Sequence, residues 1–248
     1  MRALKILLVL VVLFGGLFVA ADRAAVHFAE TEAASKIKSS QGLSSEPSVS
    51  VKGFPFLTQV LGGSLDEIEI SMGGITATAE GREVEVTEVR AELRDVTVNS
   101  TFSSAVAGSA EGSALISYAD LSKSAPKGAT VGYAGPERAA KGQVKVSGPL
   151  GDLVEGAGID VPDAFKGLLS DDFTTYSTVS MENGDTVRLR ADELPDLPVP
   201  GFQGRLKDVV DYDLKIDGMP STVELDKITM VENGLRFSGT GKDVSLTG

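Results

Sequence analysis

The chain has 248 residues, 35 acidic against 23 basic side chains, and a formal net charge of −12. A body this acidic repels phosphate and gains no counterion release, which excludes general nucleic-acid binding. With no cysteine, no tryptophan and one histidine, thiolate chemistry, cysteine-based zinc sites and a lipid-modified cysteine anchor are excluded, and any Ser–His–Asp triad rests on His27 alone.

Arg2 and Lys5 precede an unbroken apolar run from Ile6 to Ala21, and the charged pair Asp22-Arg23 follows it. Val19 and Ala21 are small enough for cleavage after Ala21. As a helix the run is about 24 Å long, a little short of the ~20 residues that a spanning helix prefers. Two readings stay open for residues 1–21: a cleaved signal peptide and an uncleaved N-terminal membrane anchor. In both, the positive start stays inside and the body is exported. Without these residues the net charge moves from −12 to −14, since Arg2 and Lys5 are lost and no acid is. That acidity reads as solubility outside the cell.

Residues 22–41 predict a helix, with Asp22 as N-cap and Gly42 just past its end. Val26, Ala29, Ala33 and Ile37 make one stripe of mostly small apolar residues, which lets a helix approach a sheet closely. His27 falls in this stretch and reads as a surface position. Phe28 lies off the stripe.

From Val49 onward the pattern changes to period two. Val49 with Val51, Ile68 with Ile70 and Met72, Val84 with Val86, and Val89, Ala91 and Leu93 alternate with polar residues. So do Val96 with Val98, Val144 with Val146, Tyr212 to Ile216, Val223 with Leu225, Leu235 with Phe237, and Val244 with Leu246. Such runs predict antiparallel strands with one apolar and one wet face. Asn183-Gly184 and Asn233-Gly234 are hairpin signals between them.

Short helices are predicted at Pro55 to Leu61, Tyr118 to Lys123, Asp152 to Gly156 and Pro162 to Leu169. Pro195, Pro198 and Pro200 mark a rigid extended linker inside the domain. No linker is long enough to separate two cores, so residues 22–248 predict a single domain. The fold class is α+β: one long N-terminal helix and one curved antiparallel sheet around it.

The sharpest local signal is Gly53-Phe-Pro-Phe-Leu-Thr-Gln-Val-Leu-Gly-Gly63. Two readings stay open for it. Phe54 and Phe56 anchor a strand-to-helix corner in the core, or they form, with Leu57, Val60 and Leu61, an apolar lip that contacts acyl chains.

That run, the Asp-Arg-x-Ala opening at 22–25, Leu-Asp-Glu-Ile-Glu-Ile at 65–70 and the closing Asn-Gly-Leu-Arg-Phe-Ser-Gly-Thr-Gly-Lys-Asp-Val-Ser-Leu at 233–246 resemble the LmeA-like phospholipid-binding family of actinobacteria. The resemblance spans nearly all of the exported part. It is strongest at 53–59 and weaker through 100–200. It implies a tubular lipid-binding build, with a long helix held in a strongly curved sheet. It also implies phospholipid as partner, phosphoinositide included, contact with a membrane surface, and a role in assembling envelope lipid or lipoglycan. No catalytic residue and no cofactor come with it.

An elongated apolar pocket is then expected between helix 22–41 and the sheet. The helix would contribute Val26, Ala29, Ala33 and Ile37. Ile68, Ile70, Met72, Val84 and Val86 would face it with Ala91 and Leu93, and Lys52 and Arg82 would meet phosphate at the mouth.

Enzyme motifs are missing from the sequence. It has no phosphate-binding Gly-rich loop ending in Lys-Ser/Thr, no His-Glu-x-x-His and no Gly-x-Ser-x-Gly. Asn99-Ser-Thr101 fits a glycosylation acceptor, a pattern that arises often by chance. Glu67 with Glu69 and Glu83 with Glu85 share the wet faces of strands, and Asp171-Asp172 is a third acidic pair. Besides phospholipid binding, two function classes remain: a structural or adhesive exported domain with a filled core, and a hydrolase of cell-wall glycans using two converging carboxylates.

Overall fold

The computed structural model describes residues 2–79, 82–99, 104–125, 128–156, 158, 167, 169, 171–194, 204, 207, 211–215 and 222–246. The apolar run and the Ala-rich stretch form one helix, α1 (Arg2–Gln41). Neither Pro nor Gly stands between Leu17 and Gln41, so nothing interrupts it. Forty residues rise about 60 Å. Asp22 is therefore inside the helix and not its N-cap, which corrects the sequence expectation. Gly42 follows the helix in the left-handed region, φ +62°, the role expected of a residue just past a helix end. By length and composition α1 can cross a membrane.

The chain divides into two compact units. The first comprises Met1–Gly73, Arg90–Gly112 and Gly241–Gly248; the second comprises Gly74–Val89 and Ser113–Thr240. The division falls inside three strands, β5 (Glu88–Val98), β6 (Ala105–Ser117) and β13 (Gly234–Ser245).

The first unit adds β1 (Ser48–Lys52), α2 (Phe56–Gly62) and β2 (Ser64–Met72) to α1. β1 and β2 are antiparallel, with Val49 opposite Ile70 and Val51 opposite Ile68. Leu93, Val96 and Ala107 form the buried centre, and Leu65, Ile68, Ile70, Val98 and Leu246 pack on it.

The second unit opens with a two-stranded antiparallel sheet, β3 (Ile75–Ala79) and β4 (Arg82–Val86). It continues through α3 (Tyr118–Ser124), β7 (Thr130–Tyr133), α4 (Pro136–Ala139), β8 (Gln143–Pro149), α5 (Leu150–Gly156), β9 (Asp172–Glu182), β10 (Thr186–Ala191), β11 (Tyr212–Lys215) and β12 (Val223–Val231). Its core gathers Val144, Val146, Leu150, Val154, Phe173, Val179, Val187, Met230, Leu235 and Phe237. The Ser117 hydroxyl caps α3 by accepting the Asp120 N–H at 3.1 Å.

The architecture is α+β with antiparallel pairing, as expected, but among the described residues the strands form three sheets where the sequence suggested one. Their orders are β1-β2-β5-β6-β13-β12, β11-β10-β9-β8-β7 and β3-β4. The runs at 89–93 and 96–98 are one strand, β5. The strands expected from the sequence do not include β3, β6, β7, β9 and β10. Pro162 to Lys166, Ile216, the Ser100-Thr101 part of the glycosylation pattern and the stretch holding Pro195, Pro198 and Pro200 lie outside the described residues.

Candidate functional site at the α1–α2 corner

The strand-to-helix turn is built on residues that few substitutes could replace. Gly53 has φ +91°, and a Cβ there would lie 2.4 Å from Gln59 Nε2 and 2.7 Å from Asp66 Oδ2, so glycine fits where a side chain would not. A cis Phe54–Pro55 peptide follows, and Phe56 opens α2 with its ring buried. Pro55, the N-cap residue of α2, supplies no side-chain acceptor for the first turn.

The acceptor comes from α1. Asp22 Oδ1 accepts the Leu57 N–H at 2.9 Å, and Oδ2 takes the Arg23 guanidinium at 2.6 Å with the Asp22 side chain fully enclosed. Burial by itself would raise the Asp22 pKa. The Leu57 N–H, the Arg23 side chain and the Phe56 N–H outweigh it and hold the carboxyl below its ordinary value. Arg23 also lies over the Phe54 ring, 5.2 Å from its centroid. Two turns further along α1, Glu30 Oε1 accepts the Val51 N–H of β1 at 2.8 Å.

Gln59 closes the corner from the other side. Its Nε2 donates to Lys52 O at 3.3 Å and its Oε1 accepts the Asp66 N–H at 2.8 Å. Gly63 ends α2 in the left-handed region, φ 73°.

The two sequence signals at 22–25 and 53–59, distant in the chain, thus meet at one place. The helix stripe is turned inward within the first unit much as its spacing predicts. Val26 is buried, Ala29, Ala33 and Ile37 are half-buried, and Ala34 joins them. Asp22 and Glu30 extend the same face, and as acids neither belongs to an apolar stripe. Phe28 is exposed, and nothing in the structure accounts for it.

Of the other expected lipid-facing residues, Phe56 is buried and Leu57, Val60, Ile68, Ile70 and Met72 are half-buried. Phe54 and Leu61 are 57% and 87% exposed. The two phenylalanines therefore separate: Phe56 anchors the corner and Phe54 stands outside it. Val84 and Val86 are buried on β4, in the second unit. Lys52 is committed to Glu69 at 2.8 Å, and that hydrogen bond holds its ammonium pKa above the ordinary lysine value. The Arg82 side chain lies outside the described residues.

His27 is an exposed position on α1, and its carbonyl accepts the Thr31 hydroxyl at 2.9 Å. Glu67 pairs with Arg94 at 3.5 Å while Glu69 holds Lys52, so these two carboxylates are each neutralised separately. Among the described residues, no group of three His, Asp or Glu side chains is placed to hold a metal ion.

A family model described as LmeA-like phospholipid-binding matches residues 20–240. No curated protein and no solved structure matches the chain. The matched span begins just before Asp22 and contains the whole α1–α2 corner. By that match over most of its length, the chain belongs to the LmeA-like phospholipid-binding family.

Proposed function

We propose that this chain is an exported cell-envelope protein that binds phospholipid in an apolar groove, without catalysis, and supports assembly of envelope lipid or lipoglycan. The observation that carries the reading is membership in a phospholipid-binding family across residues 20–240. Export is supported by the basic start and the apolar first half of α1, whose side chains stand exposed. In this reading residues 1–21 are a signal peptide or an anchor, and residues 22–248 work as one domain. Three strands contribute to both compact units, which supports joint action. Limited proteolysis yielding two separately stable fragments would speak against it.

The groove is proposed between residues 22–41 of α1 and the β1–β2 side of the first unit. Its small helix residues leave space that an acyl chain would fill, at about 0.8 kcal/mol per buried CH₂. Strong curvature of the sheet, the tubular form, belongs to the same proposal. Asp95 in β5 and Asp243 in β13 have φ of 52° and 49°, and left-handed residues inside strands bend and twist them. The headgroup proposed from the family resemblance is a phosphoinositide or another phospholipid.

Mass spectrometry of lipid extracted from the purified full chain tests the function. Stoichiometric phospholipid is expected, and its absence from folded protein overturns the reading in favour of a structural exported domain. Ala33→Phe tests the groove, because it fills space from the stripe itself. That variant should fold and lose copurifying lipid; undiminished lipid rejects this location.

A further inference from the structure

We infer that the Phe54–Leu61 corner is a second membrane contact, seated in the headgroup–acyl boundary of the same bilayer that holds residues 6–21. This rests on the reading that the apolar half of α1 enters a membrane. The first residue beyond the apolar run, Asp22, grips the start of α2 through the Leu57 N–H at 2.9 Å. α2 is therefore fixed at the level of the helix where the apolar run ends.

Two large apolar side chains of that corner point away from the protein: Leu61 is 87% exposed and Phe54 57%. No charged residue occurs from Gly53 to Leu65, although charged residues make up 23% of the chain. Gln59, the longest polar side chain there, is spent internally on Lys52 O and the Asp66 N–H. A neutral surface with protruding Phe and Leu has the chemistry of an interfacial element, which buries its apolar face about 5–10 Å into the lipid.

The length of the apolar run supports the same level. Its sixteen residues fall short of a ~30 Å hydrocarbon core, so the residues just past Ala21 are drawn towards the boundary. Arg23 is suited to that level. Its side chain is half-exposed beside Asp22, its guanidinium sits 5.2 Å from the Phe54 ring centroid, and a long cationic side chain at this level can carry its charge to lipid phosphate. The acidic body would gain nothing from an anionic surface, so apolar insertion is the force left to hold it there. A docked corner brings the start of the proposed groove to the bilayer from which lipid would enter.

The chain has no cysteine, so single labels need no background substitutions. Val11→Cys, Leu61→Cys and Ser40→Cys are each labelled with a fluorophore, and the full chain is reconstituted into phosphatidylcholine–phosphatidylglycerol vesicles. Quenching by lipids brominated near the headgroup end of the acyl chain is compared with quenching by aqueous iodide. Docking predicts lipid quenching at positions 11 and 61 several-fold above that at 40, with position 61 shielded from iodide. A quenched label at 11 with a label at 61 that matches position 40 keeps the anchor, overturns docking and leaves the corner to a protein partner. A label at 11 that is not quenched removes the membrane reading and the docking with it.

Discussion

Asp22, in the middle of α1, accepts the backbone N–H of Leu57 at 2.9 Å across 35 positions of sequence. Helix α2 begins after a proline that cannot cap it through a side chain, and a neighbouring helix performs that task. The same carboxylate orients Arg23, which covers the Phe54 ring. One acid therefore joins the long helix both to the first turn of α2 and to the cation over the exposed aromatic.

Replacing Asp22 by Ala removes the acceptor and leaves a first-turn N–H of α2 without its partner. Hydrogen exchange should accelerate through Phe56–Gly62 while Val144 and Val154, in the core of the second unit, keep their protection. Asp22→Asn retains an acceptor for Leu57 and loses the charge on Arg23, so its effect should be smaller. Equal protection of α2 in wild type and Asp22→Ala would show that Phe56 packing and the Gln59 hydrogen bonds hold the corner without Asp22.

The pH dependence follows from the lowered Asp22 pKa. Its ordinary value is 3.8, and the folded corner holds it below that. The unfolded chain then takes up this proton first as pH falls. The stabilisation is full above the ordinary value and is lost as pH drops through the folded one. The protection of α2 in wild type over Asp22→Asn should be constant from neutral pH down to about pH 5 and vanish in stronger acid. A difference that grows on acidification contradicts the assignment.

Phe54 and Phe56 should respond in opposite ways. Phe56 is 7% exposed, and truncating a buried Phe to Ala costs about 3–5 kcal/mol. An unpaired charge in Phe56→Asp should cost more. Phe54 is outside the core, so Phe54→Ala loses the contact with Arg23, about 0.5–1 kcal/mol at an exposed site. Denaturant melts of the full chain distinguish them, and equal losses would place both rings in the core.

The legible parts of this fold are those where apolar residues mark the period. β1, β2, β4, β5 and β8 announce themselves through apolar residues, mostly Val and Ile, at alternate positions. β9 does not, because its buried face holds Thr175 and Ser177 beside Phe173 and Val179, and hydroxyls look like exposed residues in sequence. β6 is hidden for another reason. It reads Ala-Val-Ala-Gly-Ser-Ala-Glu-Gly-Ser-Ala, and its small residues permit close approach: a Cβ on Gly108 would lie 3.3 Å from that of Asp95. At the candidate site the apolar stripe and the Phe-Pro-Phe run were readable, and the polar groups joining them were not. Asp22 looked like a helix cap because a local rule explains an acid after an apolar run, and only the folded chain brings Leu57 to it. Val84 and Val86 share the alternation of Ile68 and Ile70, yet alternation assigns a face within a strand and does not assign the strand to a sheet.

The two Asn-Gly pairs look alike in sequence and should fail differently when altered. Asn183 and Gly184 have φ of 54° and 73° in the connection between β9 and β10, where Glu182 pairs with Thr186. There glycine is needed for a left-handed backbone, and asparagine tolerates that conformation. A Cβ on Gly184 would have its nearest neighbour at 3.7 Å, so Gly184→Asn should cost little. Gly234 is needed for space: a Cβ there would stand 2.1 Å from Ile116 O and 2.9 Å from its carbonyl carbon. Backbone cannot rotate aside as a side chain can, so Gly234→Ala must push β13 away from β6. A cost of about 1–3 kcal/mol is expected for such forced overpacking, with faster exchange of the amides near Ile116 and Leu235. Denaturant unfolding that ranks Gly184→Asn as the more damaging change would reverse these two assignments.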